Sequence, residues 1–310
     1  MNQSLKVIEE VEKVIIGKDD CVKKVMAAIL AQGHVLIEDI PGVGKTSMAL
    51  AFAKAMGVIQ NRVQFTPDVL PTDIVGFSLY RKEQGVFEYQ PGAVMCNLFL
   101  ADEINRTSPK TQSALLEVME EETVTVDGVT REVPKPFHVI ATENPIGSVG
   151  TQMLPESQLD RFIICIYIGY PDKEDELKIL MSRDNKNPMS DIVPVISDKE
   201  LLSMQEEVNE VFIHEVVYRY IIDLVAKTRE KDVVELGISP RGALALAKMA
   251  KAIAYINGRD YVLPNDVEEI FPDVAMHRIR LTNKGKLNNI SVNDVIRDVL
   301  KSVKKPSPTK

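Results

Sequence analysis

Cysteine is scarce in this chain of 310 residues. Cys21, Cys96 and Cys165 lie far apart, too few for a disulfide framework and without metal-ligand spacing, which fits a reducing cytoplasm. An excess of positive charge is also missing: 37 Lys and Arg stand against 45 Asp and Glu, a formal net charge of −8. Nothing in that balance neutralises the phosphates of a nucleic acid, and such a partner is not expected. Long apolar runs are absent too, since stretches such as Phe162–Ile168 fall far short of the roughly 20 residues that cross a bilayer. Met1–Gly17 mixes Glu and Lys among Val and Ile, with no basic start, apolar centre and cleavage site. A soluble protein without membrane insertion or a secretory leader is expected.

A 45% hydrophobic content suffices for a large core and a smaller second domain. Short apolar runs at Val35–Ile37, Leu98–Ala101, Phe137–Ala141 and Phe162–Ile168 alternate with helical periodicity, which predicts strands of a parallel α/β sheet buried on both faces. After Pro171 such runs cease, and Val216–Arg229, Pro240–Asn257 and Pro264–Ile279 predict a helical second domain. Two hairpins interrupt the rhythm. Thr123–Val133 alternates around Asp127-Gly128, suited to a type I′ turn, and Phe77–Tyr80 faces Val86–Tyr89 across a longer loop. The last ten residues, basic and rich in Pro and Ser, read as a frayed tail. The boundaries expected are 1–172 for the α/β domain, 190–303 for the helical domain and 304–310 for the tail.

The chemistry concentrates at the strand ends. Val35 to Thr46 runs from strand through a glycine turn into a helix with Ala49, Phe52, Ala53 and Met56 on one face, the context of a phosphate-binding P-loop. Pro41, Gly42, Val43, Gly44, Lys45, Thr46 and Ser47 are the candidate nucleotide-binding residues. Gly42 and Gly44 let backbone N–H groups turn inward, Lys45 reaches the β- and γ-phosphates, and the Thr46 hydroxyl ligates Mg²⁺. The pattern G-x-x-x-x-G-K-[ST] fails at its first position, which is Asp39.

Asn97–Glu103 is an apolar strand ending in two carboxylates, as in a Walker B motif. Asp102 is the second candidate Mg²⁺ ligand and Glu103 the candidate general base. Asn144, after the next strand, is placed to bond the γ-phosphate or the lytic water, although Asn-Pro is also an ordinary turn signal. Arg161 is a candidate arginine finger, with local pairing to Asp160 or Glu156 as the alternative. Arg241 follows the cap Ser239-Pro240 in a first helical turn, where the helix dipole disfavours a cation and an anionic partner would explain it, unless it is simply exposed. His34, His138, His214 and His277 share no ligand spacing, and the first two read as packing residues.

These motifs in this order, with a helical domain after the sheet, resemble the AAA+ ATPases and, within them, the MoxR family. The resemblance rests on Glu38–Thr46, Gln64–Asp68, Gln90–Ala93, Leu100–Arg106, Ala141–Pro145, Leu159–Phe162 and Ser239–Arg241. MoxR-like chains also carry Asp or Glu where Asp39 stands. The resemblance implies five parallel strands in the order 5-1-4-3-2, hairpin insertions in helix 2 and before the sensor strand, and an all-α lid. It further implies Asn144 as sensor 1, Arg161 as arginine finger, Arg241 as sensor 2, and Ile16 and Gly17 beside adenine. ATP and Mg²⁺ are the implied cofactors, and a hexameric ring the implied assembly. Its implied work is a chaperone-like remodelling, activation or metallation of a protein complex, often with a von Willebrand A-domain protein.

Three rival readings remain. A magnesium-chelatase motor subunit shares the architecture. A nucleic-acid motor would need basic hairpin tips, whereas these tips are Asp127-Gly128 and the weakly positive Arg81–Gln84. A nucleotide-gated scaffold without turnover would need a missing catalytic residue, and Lys45, Thr46, Asp102, Glu103, Asn144, Arg161 and Arg241 are all present.

Overall fold

In each expected strand the residues alternate between two apolar clusters, and this alternation defines the fold. The computed structural model describes residues 3–40, 42–144, 154–183 and 187–307. Strands β1 (Val35–Glu38), β2 (Gln60–Gln64), β3 (Gly76–Arg81), β4 (Val86–Pro91), β5 (Leu98–Asp102), β6 (Thr123–Val126), β7 (Val129–Glu132), β8 (His138–Glu143) and β9 (Ile164–Ile166) occupy the first part of the chain. Five of them form one parallel sheet in the order β2-β5-β8-β1-β9, the order expected. Val35, Ile37, Leu98, Leu100 and Ile140 face one cluster, whereas Leu36, Phe99, Ala101, Val139 and Ala141 face the other, so the sheet is covered on both sides.

The first cluster is packed by α1 (Gln3–Glu12), α2 (Asp19–Leu30) and α3 (Lys45–Ala55). Over the second lie α4 (Pro71–Val75) and α5 (Pro109–Glu121), the latter contributing Leu115, Leu116 and Met119. Strand β2, Gln-Asn-Arg-Val-Gln, is the member of the expected five that no apolar run had located. It is a polar edge strand paired only with β5, so it lacks the apolar run that marks its neighbours.

Both hairpins form where expected. Asp127 and Gly128 have φ of 53° and 75°, the two left-handed residues that a type I′ turn demands. At the foot of the β3–β4 hairpin the two strands enter and leave almost in contact. A Cβ on Gly92 would lie 2.2 Å from the Ile74 carbonyl oxygen, and one on Gly76 would lie 2.4 Å from that of Gln90. Only glycine fits at either position, which accounts for the Gly of the Gln90–Ala93 motif.

Helices α6 (Glu156–Leu159) and α7 (Lys173–Arg183) lead to the lid, built from α8 (Asp198–Glu210), α9 (Glu215–Arg229), α10 (Pro240–Ile256), α11 (Pro264–Ala275), α12 (Asn283–Leu287) and α13 (Val292–Ser302). The lid is not wholly helical, because β10 (Val234–Leu236) and β11 (Arg280–Leu281) form a short antiparallel pair. Its Leu201, Met249, Ile253 and Phe271 join the same core as α2 and α3. The chain is not frayed from Lys301 as expected: α13 runs to Ser302, and Lys305 pairs with Glu268, while the last three residues lie outside the described ones. No helix among the described residues is long and apolar enough to cross a membrane.

His34 and His138 are buried structural groups, as expected of them. The Val139 N–H donates to Nδ1 of His34 (3.0 Å), so Nε2 donates to the Met119 carbonyl (2.9 Å). Burial holds the His34 pKa down to about 4 and that of His138 to about 3, which keeps both neutral. Through His34 the end of α5 is tied to the amino edge of the sheet.

Candidate active site

The carboxyl edge of the sheet collects the P-loop. After β1 the chain turns through Gly42 and Gly44 with φ of 90° and 97°, and an added Cβ on either would meet no atom within 4 Å. The turn therefore borders open space at the N-terminus of α3, where Gly44 is the cap and the unpaired N–H groups suit phosphate oxygens. Val43 packs on the main core, and Ser47 is half-buried in the first turn of α3. Pro41 lies outside the described residues.

Asp39, the departure from the usual pattern, is a buried anchor. Its Oδ1 accepts from Ile40 N (2.7 Å), and its Oδ2 accepts from Ile168 N (2.8 Å) and Gly169 N (2.5 Å). The carboxylate thus pins the start of the P-loop to the chain leaving β9, work that a glycine there cannot do.

Lys45 is buried and donates to Asp39 O (2.6 Å), Glu143 O (3.2 Å) and Asn144 Oδ1 (3.3 Å). Burial lowers its pKa, against the opposing pull of Asp39, Asp102 and Glu103. Asp102 ends β5 with Oδ1 accepting from the Thr142 hydroxyl (2.7 Å). Its Oδ2 lies 2.7 Å from Arg62 and 3.4 Å from the Thr46 hydroxyl. A buried carboxylate beside a hydroxyl at a P-loop is the donor set with which Mg²⁺ is held, its remaining sites going to water and phosphate. These residues fit that ion, and Arg62 supplies the carboxylate's positive partner.

Glu103 sits at φ 58°, a left-handed conformation that costs a non-glycine residue energy. Its Oε1 accepts from Asn144 Nδ2 (2.8 Å) and its Oε2 from Arg106 (2.6 Å). Burial raises its pKa, but the bonds from Arg106 and Asn144 outweigh burial and hold it below the usual value, so Glu103 is ionised at neutral pH. Asn105 in turn donates to the Asn144 carbonyl (3.1 Å). Each residue of Asp102–Arg106 therefore serves this one site, apart from Ile104, which is core.

The turn at Ile16 and Gly17 lies beside the same edge. Gly17 (φ 72°) packs so closely on Asp175 of α7 that a Cβ would overlap its carboxylate, and Lys18 donates to the Tyr170 carbonyl at 2.9 Å.

The two arginines lie at the other end of the sheet. Arg161 directly precedes the residues that enter β9, where Ile163 N bonds the His34 carbonyl at 2.8 Å. It pairs with neither Asp160 nor Glu156: its NH2 lies 2.9 Å from Glu120 Oε2. Arg241, on the first turn of α10, reaches Glu120 Oε1 at 3.0 Å. Glu120 follows Met119, which His34 holds at the amino edge. The five steps from His34 through β1 to Asp39 span about 16 Å, so both guanidinium groups lie far from their own P-loop.

Asp160 has a separate task. Its Oδ1 accepts from Arg278 Nε (2.7 Å) and its Oδ2 from the Ser239 hydroxyl (2.8 Å), while Arg278 also donates to the Phe162 carbonyl at 2.6 Å. The lid is thereby joined to the base of Arg161.

Residues 34–164 match the ATPase family associated with various cellular activities (AAA), and residues 226–299 match the AAA lid domain. Chaperone MoxR1 of Mycobacterium tuberculosis is 41% identical, with 96% of this chain and 81% of that protein covered. The chain belongs to the MoxR family of AAA+ ATPases. An uncharacterized protein of Bacillus subtilis, YeaC, is 46% identical over 97% of this chain and 94% of its own. The crystal structure of a Cytophaga hutchinsonii protein assigned as an ATPase superposes with a TM-score of 0.90 at 39% identity, covering 99% of this chain and 96% of that one.

In this MoxR-family chain, Gly42, Gly44, Lys45, Thr46, Asp102, Glu103 and Asn144 come together around one space, and Arg161 and Arg241 meet at another. Arg106 closes the Leu100–Arg106 stretch that carries the resemblance, but the sequence assigned it no role; Arg62, Glu120 and Arg278 belong to no motif and acquire their partners only through the fold.

Proposed function

We propose that this MoxR-family chain hydrolyses ATP in a closed ring of copies, with each site completed by the arginines of the next protomer, and that it uses the energy to remodel a protein client. One observation carries the reading: the phosphate loop and base lie at the carboxyl edge of the sheet, whereas Arg161 and Arg241 lie together at its amino edge on Glu120. A protomer with the two halves of a site at opposite ends needs a head-to-tail neighbour. Both arginines, including Arg241, are thereby assigned to act in trans.

Within one site the N–H groups around Gly42 and Gly44 and the Lys45 ammonium bind the phosphates. Glu103, ionised and aimed by Asn144, accepts a proton from water as that oxygen attacks the γ-phosphorus and the bond to the ADP oxygen breaks. Reaching the water requires the carboxylate to exchange a bond to Arg106 or Asn144. When bound by Thr46 and Asp102, Mg²⁺ supplies charge neutralisation at the phosphoryl oxygens. Arg161 and Arg241 bring positive charge to the transition state from the neighbouring copy, an effect worth about 10³–10⁵ in rate for an arginine finger.

A polypeptide client is supported by the β3–β4 hairpin, which exposes Phe77, Leu79, Tyr80, Val86 and Phe87 while its one tip arginine, Arg81, is paired with Glu88. Such a surface suits apolar protein segments better than a phosphate backbone.

Mixing inactive variants tests the ring. Glu103→Gln and Arg161→Ala are each expected to bind ATP and fail to hydrolyse it. In mixed rings, an Arg161→Ala subunit keeps its own base and receives arginines from a Glu103→Gln neighbour, so activity returns. No recovery on mixing, or full activity of Arg161→Ala as a dilute monomer, overturns the reading.

A further inference from the structure

Glu120 belongs to no motif, yet among the described residues it is the acidic side chain that pairs with both arginines. Its two oxygens are divided between them, Oε2 to Arg161 at 2.9 Å and Oε1 to Arg241 at 3.0 Å. The three residues come from different elements: α5, the junction before β9, and the first turn of α10. Two guanidinium groups drawn to one spot repel each other unless an anion lies between them. The Glu120 carboxylate cancels one of the two guanidinium charges, and Glu117 and Glu121 line the same cleft as Arg161. Arg161 and Arg241 are 28% and 45% exposed, so both retain surface from which to donate further.

The backbone around this carboxylate is fixed on each side. His34 bonds the carbonyl of Met119, the residue before Glu120. Asp160 and Arg278 lock the chain entering β9, and Ser239 ties the start of α10 to Asp160. Rigid attachment of three elements aligns their backbones but leaves two long side chains free to rotate. Glu120 is placed to remove that freedom. An ion pair this exposed contributes little to folding, so alignment is the property for which the arrangement is suited.

We propose that Glu120 is a positioning residue for ATP hydrolysis in trans, holding Arg161 and Arg241 side by side so that both meet the phosphates of the neighbouring protomer's ATP. The proposal rests on the trans reading above. The geometry also ties the two arginines to each other: displacing one from the carboxylate alters the partner of the other, so they act as a unit rather than as two independent cations.

The test measures kcat, KM for ATP, ring mass and Tm for Glu120→Gln, Glu120→Asp and Glu120→Ala in the full chain. Glu120→Ala is repeated in the Arg161→Ala/Arg241→Ala background, where the slow residual hydrolysis is followed under single-turnover conditions. Glu120→Gln is expected to lower kcat about tenfold with KM, ring mass and Tm unchanged, Glu120→Asp to recover part of the loss, and Glu120→Ala to cost nothing further once both arginines are gone. A Glu120→Gln enzyme at or above the wild-type rate overturns the proposal, as does an equal fractional loss in the background without arginines. A loss of kcat matched by a fall in Tm or ring mass also overturns it. The two layers separate through Arg161→Ala: if that variant is fully active, the trans reading fails and Glu120 with it. If Arg161→Ala is inactive while Glu120→Gln is normal, only Glu120's role fails.

Discussion

Ser239 caps helix α10 with the same hydroxyl that donates to Asp160 at 2.8 Å, so the lid's longest helix starts on the residue beside Arg161. Asp160 also partners Arg278, whose side chain is only 2% exposed. Removal of the carboxylate by Asp160→Ala leaves a buried guanidinium with carbonyl partners alone. A destabilisation of about 3 kcal/mol is expected, near the low end for breaking a buried pair because Asp160 is itself partly exposed. Urea denaturation measures it. A change below about 0.5 kcal/mol, the range of ordinary surface substitutions, would show that the joint is not structural.

Restoring the usual first glycine of the P-loop is expected to harm this chain. Asp39→Gly removes the acceptor for three backbone N–H groups and leaves Ile168 N and Gly169 N without their partner. The expected loss is about 2–4 kcal/mol, together with weaker ATP binding as the loop comes away from β9. Thermal denaturation and nucleotide titration read the two effects separately.

Glu103→Gln keeps the side chain's shape and removes the proton acceptor. Its kcat is expected to fall by about 10²–10⁴ while nucleotide affinity stays near wild type, as measured by single-turnover hydrolysis and equilibrium binding. A variant that loses affinity equally would assign Glu103 to binding instead.

Glu143 makes stability depend on pH. Burial, with the neighbouring Glu38 carboxylate adding to it, raises its pKa from 4.5 to about 7. A carboxyl raised in the folded state holds its proton there after the unfolded chain has lost it. Its contribution is therefore intact below pH 4.5 and declines as pH rises to about 7, by up to roughly 3 kcal/mol. Glu143→Gln is expected to raise Tm by several degrees at pH 8 and by about one degree or less at pH 5. An equal gain at both pH values would mean the group is already ionised at pH 5.

The strands that carry the site were legible because β1, β5 and β8 are buried on both faces and read as unbroken apolar runs. Lys45, Asp102 and Glu103 stood out as candidates because phosphate and water chemistry calls for those side chains where such runs end. β2 escaped because an edge strand needs no apolar face, and Arg62 escaped with it. Glu120 sits in the run Glu120-Glu121-Glu122, which in sequence resembles any solvated helix end; its meaning depends on Arg161 and Arg241 arriving from 41 and 121 residues away. Arg278 was hidden for the same reason. The short β10–β11 pair lies between the expected helices, and β11 is one exposed residue followed by one buried one, too brief for periodicity to register.

The separation of P-loop and arginines to opposite ends of the sheet has an arithmetic of its own. On the proposed reading, an open row of n protomers holds only n − 1 competent sites. One end displays guanidinium groups without phosphate, and the other displays phosphate without guanidinium groups. Joining the ends adds a catalytic unit without adding a subunit and neutralises the two exposed charges together. Specific activity should therefore rise in a step when the row becomes a circle, and a single copy with both arginines removed, built into that circle, should silence one neighbour and leave its own pocket working.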